Sequence, residues 1–304
     1  MLTGKVILIT GASSGIGAAL ARALADEGAT LALAARRARK LDSLAQELGS
    51  RGCTVRALPA DVTDPHQAER LVHAVVESFG QLDVLVNNAG RGHFAAVEDT
   101  DDETLARMFA VNAFALWYTS RPALHHMKER SSGHIINVAS IAGKIAFPYN
   151  SAYVAAKHAC VGFTHALRLE LLETPINASV VCPAGVRTAW AEQTEGGAIL
   201  PLFSQAGPIV KEIARQRAIA LPPIEGVKDP QDVAAAIIEC IYHPVAEVYT
   251  HAGSREFVVL SSKERELAEH AQLPAVLGER EVYQRLRSEH AAPFRDDPEG
   301  SPGE

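Results

Sequence analysis

Two side chains capable of acid–base chemistry stand four residues apart in the segment Tyr153-Val154-Ala155-Ala156-Lys157. On a helix that spacing puts both on one face, about 6 Å apart along the axis. A free phenol titrates near ~10, and a neighbouring ammonium favours its ionised form, so the pair could pass a proton to or from a carbonyl or alcohol oxygen. Taken alone, such a pair is more often a surface contact. A hydroxyl, Ser140, ends the run Asn137-Val138-Ala139-Ser140 shortly before it. The other chemical feature is Thr10-Gly11-Ala12-Ser13-Ser14-Gly15-Ile16-Gly17, directly after an apolar run and before a helical pattern. A glycine turn in that position lets backbone N–H groups and the positive end of a helix meet a pyrophosphate. Its bland counterpart is a flexible turn that happens to be rich in glycine.

These residues need a scaffold. Short apolar runs at residues 6–9, 31–35, 54–58, 84–86, 135–139 and 178–181 alternate with segments of helical period, such as Ile16, Leu20, Ala23 and Leu24, then Ala68, Leu71, Val72, Val75 and Val76. A continuous aliphatic run suits a parallel strand buried on both faces, and the alternation suits helices covering a sheet. The pattern predicts an α/β fold: a doubly wound parallel sheet, or Rossmann fold, of about seven strands with helices on both faces. Beyond Pro183 the rhythm loosens into an excursion over residues 186–228, carrying Pro201, Pro208, Pro222 and Pro223, with one or two helices expected around residues 209–220. A helix follows Asp229-Pro230 over residues 233–242, and a last strand is expected at 245–249. The charged remainder suits exposed helices at 263–271 and 279–289 and a frayed tail from residue 293. One domain over residues 1–250 and an extension over 251–304, its last twelve or so residues disordered, is the expected organisation.

Composition narrows the partners. The chain has 304 residues, 47% hydrophobic and 21% charged, with a formal net charge of −7. That is the balance of a folded globular protein, and the sign disfavours nucleic acid. Cys53, Cys160, Cys182 and Cys240 lack disulfide or metal-ligand spacing, which fits a reducing cytoplasm and gives no metal site. No run approaches a membrane span, and the short apolar N-terminus lacks the form of a signal segment.

The end of the second strand reads Ala34-Ala35-Arg36-Arg37, with no acid to accept a ribose 2′-hydroxyl. Arg36 offers a planar cationic fork suited to a 2′-phosphate, so NADP(H) is favoured over NAD(H). Arg36, Arg37, Arg39 and Lys40 also read as a solvated helix start, but cations there oppose the helix dipole unless an anion sits nearby.

With these motifs in order, the chain resembles the short single-domain branch of the short-chain dehydrogenase/reductase family over residues 1 to about 250. The resemblance rests on TGASSGIG at 10–17, Asp61-Val62, Asn87-Asn88-Ala89-Gly90, Asn112, Ser140 and Tyr153 with Lys157. It implies that Tyr153 is the general acid/base, that Lys157 favours its phenolate and binds the nicotinamide ribose, that Ser140 holds the substrate oxygen, and that Asn112 continues a proton path to water. Gly11, Ser13, Ser14, Gly15, Ile16 and Gly17 would cradle the pyrophosphate. Asp61 and Val62 would contact the adenine, and Asn88, Ala89 and Gly90 would pass the ribose. Val186 and Thr188 would reach the carboxamide and pyrophosphate. Outside the resemblance, Asp61 reads as a turn cap, Ser140 as a strand-end hydroxyl and Asn112 as an amide satisfying a bent helix. The chain departs from the family at Pro183-Ala184-Gly185, with alanine where the glycine normally lies, and Gly185 is expected to compensate.

The implied activity is interconversion of a carbonyl and a secondary alcohol. A mostly apolar excursion, with Trp190, Ile199, Leu200, Leu202, Phe203 and Ile209, and Phe94 and Phe147 from other strand ends, suggests a hydrophobic substrate, steroid-like, acyl-chain or aromatic. Half of these residues could equally serve only to pack the excursion down. By analogy a homodimer or homotetramer is expected. The competing reading is a non-catalytic NADP-sensing or interaction module on the same fold; an epimerase of the superfamily's larger branch ranks third.

Overall fold

The computed structural model describes residues 1–190, 194–195 and 199–289. Its first strand, β1 (Val6–Thr10), is buried at every position and alternates its side chains between two cores. Ile7 and Ile9 pack with residues of α1 (Gly15–Asp26), α2 (Ala38–Ser50) and α8 (Pro230–Tyr242). Val6 and Leu8 face α3 (Pro65–Phe79), α5 (Ala115–Glu129) and α6 (Ser151–Glu170). Each large aliphatic side chain so buried contributes roughly 1.5–3 kcal/mol, which is why the aliphatic runs become the sheet's interior.

Six further strands complete one sheet: β2 (Thr30–Ala35), β3 (Val55–Pro59), β4 (Val84–Asn87), β5 (Gly133–Val138), β6 (Ile176–Cys182) and β7 (Glu247–Tyr249). Their order is β3-β2-β1-β4-β5-β6-β7, every pair parallel, which is the doubly wound sheet that the sequence implies. The winding reverses between β1 and β4. Ligands of such sheets sit in the crevice outside the carboxyl ends of the strands at that reversal.

Local chemistry sets the helix ends. Asp64, not Asp61, caps α3: its carboxylate accepts from the His66 and Gln67 N–H groups, Pro65 fills the first turn, and Gly80 ends the helix at φ 75°. Between α4 (Asp102–Phe109) and α5, residues Ala110–Phe114 form a π-turn that contains Asn112.

The second half departs from expectation at prolines. Among its described residues the excursion holds one helix, α7 (Ile199–Arg217), which starts before residue 209 and runs through Pro208. After β7 come α9 (Ser254–Lys263), not foreseen, and α10 (Arg265–Glu289), which runs unbroken through Pro274. These are not simply exposed helices: Phe257, Ala268, Val282 and Tyr283 are buried. The expected frayed tail lies outside the described residues. Among the described residues no helix is long and apolar enough to cross a membrane.

Candidate active site

The glycine turn joins the ends of β1 and β4. Gly11 and Gly15 have φ of 66° and 55°, which side chains rarely adopt. A Cβ on Gly11 would lie 2.9 Å from the Ala89 Cα, and one on Gly17 would lie 2.6 Å from both Asn88 Nδ2 and the Gly11 carbonyl. Those approaches exist because the Thr10 hydroxyl accepts from the Asn88 and Ala89 N–H groups, at 3.0 and 3.1 Å, while Asn88 Nδ2 donates to the Thr10 carbonyl at 3.0 Å. Ser14 is the N-cap of α1, yet its hydroxyl does not cap and the first turn holds no acid. The positive helix end instead carries a second positive group. Arg37 donates to Ser13 Oγ at 3.0 Å and to Ser14 Oγ at 2.6 Å. Thr188 closes the other side, its methyl 3.2 Å from where a Gly15 Cβ would stand. A cradle that admits no side chain, rimmed by N–H groups, hydroxyls and a guanidinium, fits a dinucleotide phosphate.

Arg36 points elsewhere. Its guanidinium is more than half exposed and lies 3.8 Å from Asp61 Oδ2. Asp61 Oδ1 accepts from the Thr63 N–H and hydroxyl at 3.0 and 2.7 Å, and Val62 is buried in the core beside Ala34. Sequence reasoning passed over Arg37 as part of a helix start. Arg37 is the N-cap position of α2, from which a side chain can fold back over the preceding turn, and that placement was the available signal.

Tyr153 lies in the first turn of α6 and is buried, with Ser140 near enough to act on the ionisation of its hydroxyl. Ser140 leaves β5 in extended backbone; its hydroxyl donates to the Pro183 carbonyl at 3.3 Å and accepts from the Ala142 N–H at 3.1 Å. Burial pushes the phenol well above its ordinary value, and the neighbouring Ser140 hydroxyl acts the other way. Lys157, also buried, holds its ammonium 5.8 Å from the Tyr153 ring centroid and donates to the Val138 carbonyl at 3.0 Å. Loss of water lowers its pKa. Gly90 makes room for this group: a Cβ there would stand 3.3 Å from Lys157 Nζ and 2.9 Å from Asn112 Oδ1. Asn112 receives the Arg91 N–H on Oδ1 at 3.3 Å and donates from Nδ2 to the Arg91 and Met108 carbonyls at 2.9 and 3.1 Å. It satisfies the bend at the π-turn and ties that bend to the loop after β4.

The segment after β6 folds back on itself. Val186 bridges Lys228, the Arg187 N–H donates to the Lys228 carbonyl at 2.8 Å, and the Lys228 N–H donates to the Gly185 carbonyl at 3.0 Å. Neither Ala184 nor Gly185 has positive φ, so the compensation expected of Gly185 is not needed. The backbone path is set by His251 instead. Its Nδ1 accepts from the Ala184 N–H at 3.2 Å and its Nε2 donates to the Gly185 carbonyl at 2.8 Å, a pairing that requires the neutral Nε2–H tautomer. No motif pointed to this histidine.

Trp190 brings the excursion over the site, its ring 5.4 Å from that of Tyr153 and close against Gly92. Farther along, the buried Glu195 carboxylate accepts from Arg91 at 2.5 Å and Arg107 at 3.1 Å. Phe94 is not a pocket wall as expected: it is fully buried, packed on Tyr149 and Tyr283 at 5.6 and 5.8 Å. Phe147 packs in a cluster with Ile141 and Phe257. The side chains of Ile199, Leu200 and Phe203 lie outside the described residues.

Comparison with known proteins agrees with this geometry. The family profile of short chain dehydrogenases matches residues 5–197. A ketoacyl reductase, HetN, of a Nostoc species is 35% identical over 250 residues, covering 81% of this chain and 78% of the relative. The solved structure of a short chain dehydrogenase/reductase from Burkholderia phymatum in complex with NAD superposes with a TM-score of 0.75 at 29% identity, covering 88% of this chain and 95% of the other. A variant of actinorhodin polyketide ketoreductase with NADPH gives 0.71 at 35% identity, covering 82% and 97%. The chain belongs to the short-chain dehydrogenase/reductase family and is an oxidoreductase of carbonyl and alcohol groups.

Proposed function

We propose that the protein is an NADP(H)-dependent enzyme interconverting a hydrophobic ketone and its secondary alcohol, with Tyr153 as general acid/base. The observation that carries this is the meeting of Tyr153, Ser140 and Lys157 in one buried site beside a phosphate-fitting glycine turn. The nicotinamide would supply or accept the hydride. Ser140 polarises the substrate oxygen, and Tyr153 gives that oxygen a proton in reduction or removes one in oxidation. Both directions depend on burial. In a dry site the neutral phenol is favoured, so Tyr153 is ready to donate at neutral pH, and carbonyl reduction is the easier direction there. Alcohol oxidation accelerates as pH rises and phenolate becomes accessible. Lys157, fixed on the Val138 carbonyl, holds positive charge near the phenol and faces the space where a ribose would lie. Asn112 positions Lys157 indirectly, through the close fit at Gly90, and continues the proton path from it.

The remaining site assignments are part of the same reading. Gly11, Ser13, Ser14, Gly15, Ile16, Gly17 and Thr188 hold phosphate; Asp61, Val62, Asn88, Ala89, Gly90 and Val186 hold the rest of the nucleotide. Arg36 and Arg37 together favour a 2′-phosphate: β2 ends without an acid for a ribose 2′-hydroxyl, and the Asp61 carboxylate beside Arg36 is engaged by Thr63. Trp190 beside Tyr153 favours an apolar substrate. Free thiols at all four cysteines suit a reducing cytoplasm. Exposed Phe114, Trp117, Leu169 and Leu172 on or just past α5 and α6 and the adjoining π-turn suit a homodimer or homotetramer.

The test is an NADPH-oxidation assay over lipophilic ketones and polar sugars, repeated with NADH. Turnover of the ketones with NADPH is expected, and Tyr153→Phe should lower kcat by about 10³-fold or more while NADPH still binds. Turnover confined to sugars, equal use of NADH, or unchanged activity in Tyr153→Phe would each overturn the corresponding assignment.

A further inference from the structure

The extension after β7 has no part in the chemistry described so far, yet one of its side chains touches two of the walls around Tyr153 and its helix meets a third. Tyr283, on α10, donates its hydroxyl to Asp99 Oδ2 at 2.7 Å and accepts the Ala96 N–H at 3.1 Å. Both partners belong to the loop that follows β4 and carries Gly90, Arg91 and Gly92. Its ring stacks on Tyr149 at 4.3 Å with 14° between planes, and meets Phe94 edge-on. Tyr149 has φ 57°, accepts the Ala95 N–H on its carbonyl at 2.8 Å, and stands just ahead of the helix turn that presents Tyr153. The third wall is the excursion. Gly278, on the same helix, lets α10 approach α7 so closely that a Cβ would stand 2.8 Å from the Val210 side chain and 3.5 Å from the Ala206 carbonyl. Arg287 adds an ion pair to Asp99 at 2.8 Å, and Gln272 donates to the Ala146 carbonyl at 2.9 Å.

We propose that Tyr283 is a positioning residue for substrate: through it, α10 fixes the loop after β4, the Tyr149 turn and the excursion relative to one another, and so sets the width of the substrate site. The arrangement favours that role over mere packing. The hydroxyl bonds both a carboxylate and a backbone N–H of the same loop, so it fixes where that loop lies against α10 as well as holding it there. Among the described residues α10 makes no such bond to the glycine turn, and its side-chain bonds reach the loop after β4 and the segment before α6 instead, so the effect falls on substrate. The proposal rests on the oxidoreductase reading of Tyr153, and the experiment separates the two.

The full-length chain and its Tyr283→Phe and Asp99→Ala variants are compared on the ketone that the unaltered protein turns over best. Phenylalanine keeps the ring stack and loses only the hydroxyl bonds. Tyr283→Phe is expected to raise the ketone KM about tenfold, to change kcat less than threefold, and to leave the KM for NADPH within twofold. Asp99→Ala should reproduce the same split, and the double variant should add little to either. Unchanged ketone KM in both variants overturns the proposal, and so does a parallel rise of both KM values with a falling Tm, which marks a merely structural role. If Tyr283→Phe fails to fold, Asp99→Ala reads the same split. Absence of turnover by the unaltered protein on every ketone would defeat the functional reading instead.

Discussion

The two halves of this molecule hold their residues in place by different means. Around the glycine turn, positions are set mostly by backbone: strand ends, N–H groups gathered by the Thr10 hydroxyl, and glycines against which no side chain would fit. Over the substrate side, positions are set by side chains: Glu195 between two arginines, Tyr283 on Asp99, Trp190 on Tyr153. Backbone placement tolerates little change in the residues that use it but leaves periodic marks in the sequence. Side-chain placement leaves few such marks, and its consequences appear as binding and stability more than as chemistry.

Ser140 offers the sharpest way to break that contrast, because it stands at a strand end and the proposed function sets it on the reacting oxygen. Ser140→Ala should lower kcat by about 10²–10³-fold with little loss of Tm. It should also displace the pH profile of alcohol oxidation toward alkali, since the hydroxyl that favours the phenolate is gone. A loss of less than tenfold would remove Ser140 from the chemistry.

The phosphate cations give a smaller effect. Arg37→Gln should raise the KM for NADPH about tenfold or more and that for NADH less than threefold. Equal rises would move Arg37 to the phosphates that both nucleotides share. Arg36→Gln, run beside it, should resemble it if the two arginines form one clamp.

The smallest expected effect lies in the cover. Glu279 sits on the buried face of α10, and burial raises its carboxyl to about 7. A carboxyl raised in the folded state is neutral and harmless below about 4.5, and its stability contribution is lost as pH rises through 7, a change of up to about 3 kcal/mol. Glu279→Gln should therefore raise Tm at pH 8 by a few degrees and leave it unchanged at pH 4. A pH-independent difference would show that the side chain is solvated.

How far each half could be read follows from the same distinction. The strands inside the sheet lie where aliphatic runs fall, because a strand covered on both faces is mostly apolar, whereas the edge strands β3 and β7 are only partly buried and carry Arg56 and Glu247. The glycine turn and the Tyr153–Lys157 pair were legible for a similar reason, as spacing on a regular element fixes direction. The prolines misled. Pro208 and Pro274 suggest helix boundaries, since proline lacks an N–H and costs about 3 kcal/mol inside a helix. Both nevertheless lie within continuous helices, α7 and α10, which pack against each other and so support one another. Arg37 was missed because its neighbour Arg36 has the better sequence position, and only the N-cap geometry sends Arg37 to the serines. His251 and Tyr283 were invisible because what they grip lies far away along the chain and close in space.

One imidazole pinches the neck of the excursion, joining Ala184 and Gly185 while Lys228 pairs across from them. The two ends of the segment are thereby sealed before it leaves the sheet. Residues could be inserted or removed between them at a closure cost that grows only with the logarithm of length, without disturbing β6 or β7. A scaffold sealed in this way can exchange one substrate cover for another while its nucleotide half stays the same, which gives a lineage a route to new substrates that leaves the catalytic centre untouched.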